Sequence, residues 1–266
     1  MKTSIQIYSD MVAKVKFFFK QLNLSILKST GRKLLIAPEE TIAMSLFKQA
    51  QGIETKKSVW KIFNLKCSYK TLVVNMNKLA VFALVILQAI LHWNQKHAHV
   101  VKHTDSTDIP FCLTKNGRHH KTMKEFAAWA HGPKGWYYGL KMSLTADLNR
   151  NVLAVRFSSG NADDRQTFKE MNKDMMGIFV ADAGYVSKDL EKEFYIENKR
   201  ILFAKPRSNM KKIATWWQTR LYDTRMQIEL NFRSLKMFNG LVTSLPRSID
   251  GYLGNYSYSL LAHVLG

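Results

Sequence analysis

The stretch from Thr215 to Lys236, TWWQTRLYDTRMQIELNFRSLK, constrains this chain more than any other. It contains neither glycine nor proline, the nearest being Pro206 and Gly240. A breaker-free run of good helix formers predicts one long helix. Leu221, Ile228 and Leu235 repeat at heptad spacing and form an apolar stripe that needs a core to face. Tyr222, Arg225, Glu229, Phe232 and Lys236 follow a similar spacing one residue on. At ~100° per residue these five fall within about 80° of one another. A phenol, a guanidinium, a carboxylate and an ammonium therefore flank the buried stripe, where an ordinary surface helix would carry such groups opposite its core. Read alone, this is a solvated, salt-bridged face, with Arg225 and Glu229 an i,i+4 pair of ~0.3–0.5 kcal/mol.

The pattern Tyr222-x2-Arg225-x3-Glu229-x6-Lys236 is similar to the Tyr-Arg-Glu-Lys signature of bacterial insertion-sequence DDE transposases. The resemblance implies two further aspartates upstream, each at the end of a β-strand, on neighbouring strands of a ribonuclease-H-like sheet.

The composition suits such a role. The 266 residues include 40 Lys+Arg against 20 Asp+Glu, a formal charge of +20, and 46% are hydrophobic. A chain with a real core and this much uncompensated positive charge points to a polyanionic partner, nucleic acid before an anionic membrane. The two cysteines, Cys67 and Cys112, lie far apart and give neither a metal knuckle nor a disulfide framework, which fits a reducing cytosol. The N-terminal segment has charges throughout and no continuous apolar region, so no secretory signal is expected. The most apolar run, Leu79 to Trp93, contains a glutamine and falls short of a spanning length, predicting a buried core helix and no membrane partner.

In chain order, residues 1–97 read as mainly helical. Helices are expected over Ile5–Leu24, from Pro38 to Ala50 with acids in its first turn, over Lys57–Asn64, and from Ser68 as N-cap toward His97. Ser25 to Arg32 forms a basic connection. Helix, short turn and helix beside Lys56, Lys57, Lys61, Lys66 and Lys70 suggest a helix-turn-helix-like DNA reader led by Ser68, Tyr69, Lys70 and Thr71. The character changes near residue 97. A short strand over 103–107, a hairpin of Trp136–Thr145 with Val152–Phe157, a helix from Asp163 to Met175, a strand Gly177–Ala181, a helix Ser187–Asn198 and a strand Ile201–Ala204 follow, with a basic loop at 205–212 before the opening helix. Residues 98–266 are thus expected to form one α/β domain, a mixed sheet flanked by helices, preceded by the helical region. The apolar helical pattern Tyr256–Leu265 runs to the last residue, as a slightly shortened C-terminus would leave it.

Asp105 ends the first of these strands and Asp182, in Ala181-Asp182-Ala183-Gly184-Tyr185, follows the fourth. Each has a plain alternative, Asp105 as a cap for Ser106 and Thr107 and Asp182 as a turn residue. Asp108, Asp163 and Asp164 are rival candidates, the first expected beyond the strand and the others at a helix start. With the resemblance, Asp105, Asp182 and Glu229 are the expected catalytic and metal-holding acids. Three converging carboxylates repel one another unless cations neutralise them, and oxygen donors select Mg²⁺ or Mn²⁺, two ions on this reading. The short span between Asp182 and Glu229 leaves no room for the large β-rich insertion of some relatives. The resemblance implies cleavage of DNA at inverted-repeat ends and transfer into target DNA, with Tyr222, Arg225 and Lys236 on DNA phosphates. It also implies a homodimer or higher synaptic assembly in a bacterial cytoplasm, at the nucleoid. A metal-dependent nuclease of the same fold and a catalytically silent DNA-binding descendant are the alternatives. Trp216 and Trp217 read as core anchors or as a stacking surface for an unpaired base.

Overall fold

The computed structural model describes residues 3–25, 35–206 and 214–266. The basic connections at 25–32 and 205–212 therefore lie largely outside the described residues. The chain divides into two compact units, one of residues Met1–Ile90 with Ser234–Gly266 and one of Leu91–Arg233. The α/β unit thus ends at Arg233 instead of running on to Gly266, because the last helix packs with the N-terminal helices.

The first unit is helical: α1 (Ser4–Gln21), α2 (Pro38–Ala50), α3 (Lys56–Ile62), most of α4 (Tyr69–Lys96), a π-helical turn (Ser234–Phe238) and α9 (Ile249–Leu265). The caps follow the sequence. Thr3 closes a capping box with Gln6 on α1, Pro38 opens α2 ahead of Glu39 and Glu40, and the Ser68 hydroxyl accepts the Thr71 N–H at the start of α4. Met44, Val59, Leu72 and Met76 form a core with Tyr8, Trp60 and Phe63 packed around it. Gln49 and Asn255 tie α2 to α9: the Gln49 amide donates to the Asn255 carbonyls at 2.9 and 3.1 Å, and Asn255 donates to Gly240 O at 3.0 Å. The apolar helix is longer than its apolar run suggests. The whole of Tyr69–Lys96 is helical and, by length and composition, long and apolar enough to cross a membrane. One face buries Leu72, Met76, Ala83, Ile86 and Leu87, while Val81 and Leu84 stay exposed.

The second unit holds the sheet. Its strands are β1 (Val101–Pro110), β2 (Ala128–Gly132), β3 (Gly135–Asp147), β4 (Val152–Ser159), β5 (Ile178–Ala181) and β6 (Ile201–Ala204), with helices α5 (Asp164–Met171), α6 (Lys188–Asn198), α7 (Trp216–Asp223) and α8 (Met226–Arg233). β3 pairs antiparallel with β1 and β4, and β1, β5 and β6 pair in parallel, giving the order β4-β3-β1-β5-β6. An antiparallel meander joined to two parallel crossover strands is the ribonuclease-H-like sheet, and the mixed α/β expectation holds. β2 is an addition that the alternation did not predict. It is a short ladder on β3 closed by Gly132-Pro133-Lys134-Gly135, with Gly135 at φ +100°.

Both faces of the central strands are covered, as a parallel sheet requires. Phe179 and Ala181 of β5 pack with Phe168 of α5 and Phe194 of α6. Val180, between them, faces the other way and packs with Val101, Phe203 and Leu221 of α7. This alternation makes Ile178–Ala181 wholly apolar in sequence. Asp147, fully buried, accepts the N–H groups of Asn149 and Asn151 at 2.9 Å each and so fixes the β3–β4 turn.

Candidate active site

The opening helix is not continuous. α7 ends at Asp223, α8 begins at Met226, and Thr224 and Arg225 form the joint. The Thr224 hydroxyl donates to the Leu221 carbonyl at 2.6 Å and also contacts His103 Nε2 at 2.8 Å. Burial pushes the His103 imidazole down to about 4, so the ring is neutral at physiological pH. Because the threonine proton is already committed to Leu221, His103 Nε2–H is the donor of that second bond. β1 therefore grips the joint between the two helices. A π turn then follows α8, and the phase shift it introduces ends the regular spacing on which the single-helix stripe depends.

Asp105 lies two residues beyond His103 on the same face of β1. The sequence placed it at a strand end, but β1 continues to Pro110 because β3 pairs with it all the way from Lys102 to Pro110. What stops is the parallel ladder, whose last pairs are Lys102↔Phe179 and His103↔Val180. Asp105 therefore sits where the sheet opens between β1 and β5. Asp182 follows β5 directly and caps the turn Ala183–Tyr185, its Oδ1 accepting the Ala183 N–H at 2.7 Å. The two aspartates feel each other's charge.

Arg225, leaving the helix joint, reaches between the acids. Its Nη2 donates to Asp105 Oδ2 at 2.5 Å and its Nη1 to Glu229 Oε1 at 2.6 Å. The Arg225 and Asp105 side chains are only 15% and 16% exposed, whereas Glu229 is 56% exposed. Burial raises the Asp105 carboxyl to about 6, against the opposing pull of Arg225 and of the Ser106 N–H. Tyr222 packs beside Val180 and Phe203, with Lys205 Nζ 4.5 Å from its ring centroid, and burial raises its hydroxyl pKa. Tyr222 thus stays a protonated donor.

The structure places Asp105, Arg225 and Glu229 in direct contact, with Asp182 and Tyr222 within electrostatic reach of them. Lys236 lies in the π-helical turn, in the other compact unit. The rival acids have other duties. Asp108 is inside β1, contrary to expectation, where its charge acts on Tyr137, whose hydroxyl donates to the Gly160 carbonyl at 3.4 Å. Asp163 caps α5, and Asp164 pairs with Lys141 at 3.2 Å. Trp216 and Trp217 anchor no core, being 73% and 61% exposed, with the Arg220 guanidinium 5.4 Å from the Trp216 ring. His103 and Thr224 are site residues that the sequence reading misses. The signal for them is the two-residue step from His103 to Asp105 on one strand.

Residues 95–249 match the family described as Transposase DDE domain, more than half of the chain. The chain belongs to the DDE transposase family. It is a transposase, an enzyme of the polynucleotidyl-transferase class. No curated protein matches it. Among solved structures, it is similar to the Mos1 mariner paired end complex with Mn, at 10% identity and TM-score 0.26 over 97% of this chain and 90% of that one. It is also similar to a pre-cleavage Mos1 transpososome, at 8% identity and TM-score 0.26 over 99% and 92%. Likeness at this level says nothing about mechanism.

Transposases of this family act with divalent metal ions. The donor chemistry of Asp105, Asp182 and Glu229 fits such an ion, since all offer hard carboxylate oxygens and the buried Asp105 needs a positive neighbour. Among the described residues no group of three His, Cys, Asp or Glu side chains is gathered closely enough to hold one. The positive charge against Asp105 and Glu229 in this structure is the guanidinium of Arg225.

Proposed function

We propose that this transposase mobilises an insertion sequence, cutting DNA strands at the element's inverted-repeat ends and joining them to target DNA by in-line phosphoryl transfer. Asp105, Asp182 and Glu229 are its catalytic acids and would hold Mg²⁺ or Mn²⁺. Divalent ions there would supply Lewis acidity at the phosphoryl oxygens and acidify bound water. The observation that carries the reading is the meeting of Asp105 and Glu229 on Arg225 at the opening of the sheet, with Asp182 directly after the adjoining strand.

The protein's own part is positioning. Asp105 and Asp182 are rooted in paired strands, so their carboxylates are pre-placed. The His103–Thr224 bond fixes the helix joint and with it the approach of Arg225 and Glu229. When another cation neutralises Asp105, the Arg225 guanidinium is released to take a phosphate in the bidentate manner that suits it. Tyr222 donates a hydrogen bond to a phosphate, and Lys236 adds a point charge. The excess positive charge of the chain serves the duplex beyond the cut. On this reading the enzyme works on double-stranded DNA as a homodimer or higher synaptic assembly in a bacterial cytoplasm.

The test is Asp105→Ala, incubated with inverted-repeat duplex in Mg²⁺ or in EDTA. Wild type nicks in Mg²⁺ only. The variant binds the duplex with nearly unchanged affinity and does not nick. Retained cleavage in Asp105→Ala sinks the assignment.

A further inference from the structure

The helical unit carries a cationic site of its own. A cavity of about 370 Å³ is walled by Lys48 at the end of α2, Lys56 at the start of α3, Asn77 of α4, and Arg247 and Ser248 leading into α9. Both lysines are partly buried, and each of their ammonium groups contacts only a neutral acceptor. Lys48 Nζ donates to Gln49 Oε1 at 3.2 Å and Lys56 Nζ to Asn77 Oδ1 at 2.5 Å. Among the described residues neither forms an ion pair. Glu54 lies on the wall and is exposed. Burial lowers the Lys56 ammonium to about 8, with the neighbouring charge of Lys48 pushing the same way, and burial also lowers Lys48.

Two desolvated ammonium groups repelling each other across a cavity are a standing cost that an anion removes. The protein's own bonds fix the cavity walls. The Gln49–Asn255–Gly240 bonds brace one wall, and Gly251, where a side chain would meet Pro246 Cβ at 3.1 Å, leaves the start of α9 open. The positive end of that helix, capped by Ser248, adds to the field. Tyr69, 42% exposed, stands on the cavity wall as the first residue of α4, beside the exposed Ser68, Lys70 and Thr71.

We infer that this cavity is a phosphate-binding site, and that its occupant is a backbone phosphate of duplex DNA lying along the start of α4. The choice of DNA rests on the reading of the protein as a DNA-handling transposase. The chemistry of the site, two lysines and an arginine around a tetrahedral anion, does not.

The test uses the full-length protein with two probes, inorganic phosphate in thermal melts and a short duplex of arbitrary sequence in fluorescence anisotropy across a KCl series. Phosphate raises the wild-type melting temperature and competes with the duplex. Lys56→Met and Lys48→Met, on different helices so that one local unfolding cannot mimic both, abolish the phosphate effect. Each also reduces the slope of log K against log[KCl] by about 1, the change one lost phosphate contact produces. Loss of nicking in wild type with this pattern intact would count against the catalytic reading and leave the site standing. A phosphate effect removed by both variants with an unchanged DNA slope overturns DNA as the occupant. No phosphate effect in wild type overturns the site.

Discussion

Arg225→Gln is the substitution whose consequence the structure determines most closely. The guanidinium has two arms. The one to Glu229 ends on a carboxylate that is 56% exposed, and contributes at most ~0.3–0.5 kcal/mol. The other ends on Asp105, 16% exposed and 2.5 Å away. Breaking a fully buried pair costs ~3–5 kcal/mol because a charge is stranded. Here the stranded carboxylate has an escape, since burial already raises it to about 6 and a proton can replace the arginine. The loss is therefore pH-dependent. Below pH ~5 Asp105 is neutral in both proteins, and only packing and the outer arm are missing, ~1 kcal/mol. At pH ~8 wild type carries a paired carboxylate and the variant an unpaired one. Each further unit by which losing Arg225 raises Asp105 adds ~1.4 kcal/mol there, so a loss of ~2–4 kcal/mol is expected. Urea unfolding at both pH values, with hydrogen exchange of β1 peptides to localise the effect, measures it. At the higher pH Mg²⁺ should stabilise the variant more than wild type, because cation and guanidinium compete for one carboxylate. An equal loss at both pH values, with no differential Mg²⁺ effect, refutes the counter-ion role.

Other outcomes follow from single contacts. Asp105→Asn removes the proton-linked term of its parent. A carboxyl raised from 3.8 to about 6 binds its proton more tightly folded than unfolded, so wild type loses ~3 kcal/mol as pH rises from about 4 to about 6. In Asp105→Asn that fall is absent in parallel urea titrations. Thr224→Val cuts the His103 bond and leaves a buried imidazole N–H unpaired, at ~1–3 kcal/mol. It should lower nicking while the Asp105 strand remains protected in hydrogen exchange. Arg200, fully buried, donates to the Asn172 and Lys173 carbonyls at 2.9 and 3.0 Å and stacks 3.7 Å from the Phe194 ring. Arg200→Ala takes this donor from the Lys173 carbonyl, while the Asn172 carbonyl keeps the Met175 N–H, and it opens a cavity beneath α6; it should destabilise by ~3–5 kcal/mol in urea with no separate effect on DNA affinity. Gly139→Ala drives a methyl to 2.1 Å from the Ile109 carbonyl oxygen, so it should split the β1–β3 ladder and yield little soluble protein.

How much of the molecule is legible in the sequence varies with the kind of feature. Strands buried on both faces announce themselves by composition, as Ile178–Ala181 does. Caps at Ser68, Asp163 and Ser187 follow from residue type. The extent of β1 does not, because Lys102 to Asp108 is polar and only the long apolar partner β3 holds it in register. The break at Thr224 is hidden because neither Thr224 nor Arg225 is a helix breaker. A tertiary bond to His103 makes the joint, and no local preference encodes it. The same holds for Arg225. Its spacing to Glu229 is visible as a helical pair, whereas its arm to Asp105 spans most of the sheet unit in sequence. Trp216 and Trp217 show the converse error, since apolar mass suggests burial and the start of α7 leaves both rings in solvent.

The central claim is that Asp105, Asp182 and Glu229, from two strands and a helix, share one divalent-ion site. Replacing Mg²⁺ with Fe²⁺ and adding ascorbate and peroxide generates hydroxyl radicals at the bound ion, which cut the polypeptide nearby. The account predicts backbone breaks close to all three residues, suppressed by excess Mg²⁺ and absent in Asp105→Ala. Breaks confined to one segment, or a pattern that Asp105→Ala leaves unchanged, would contradict it.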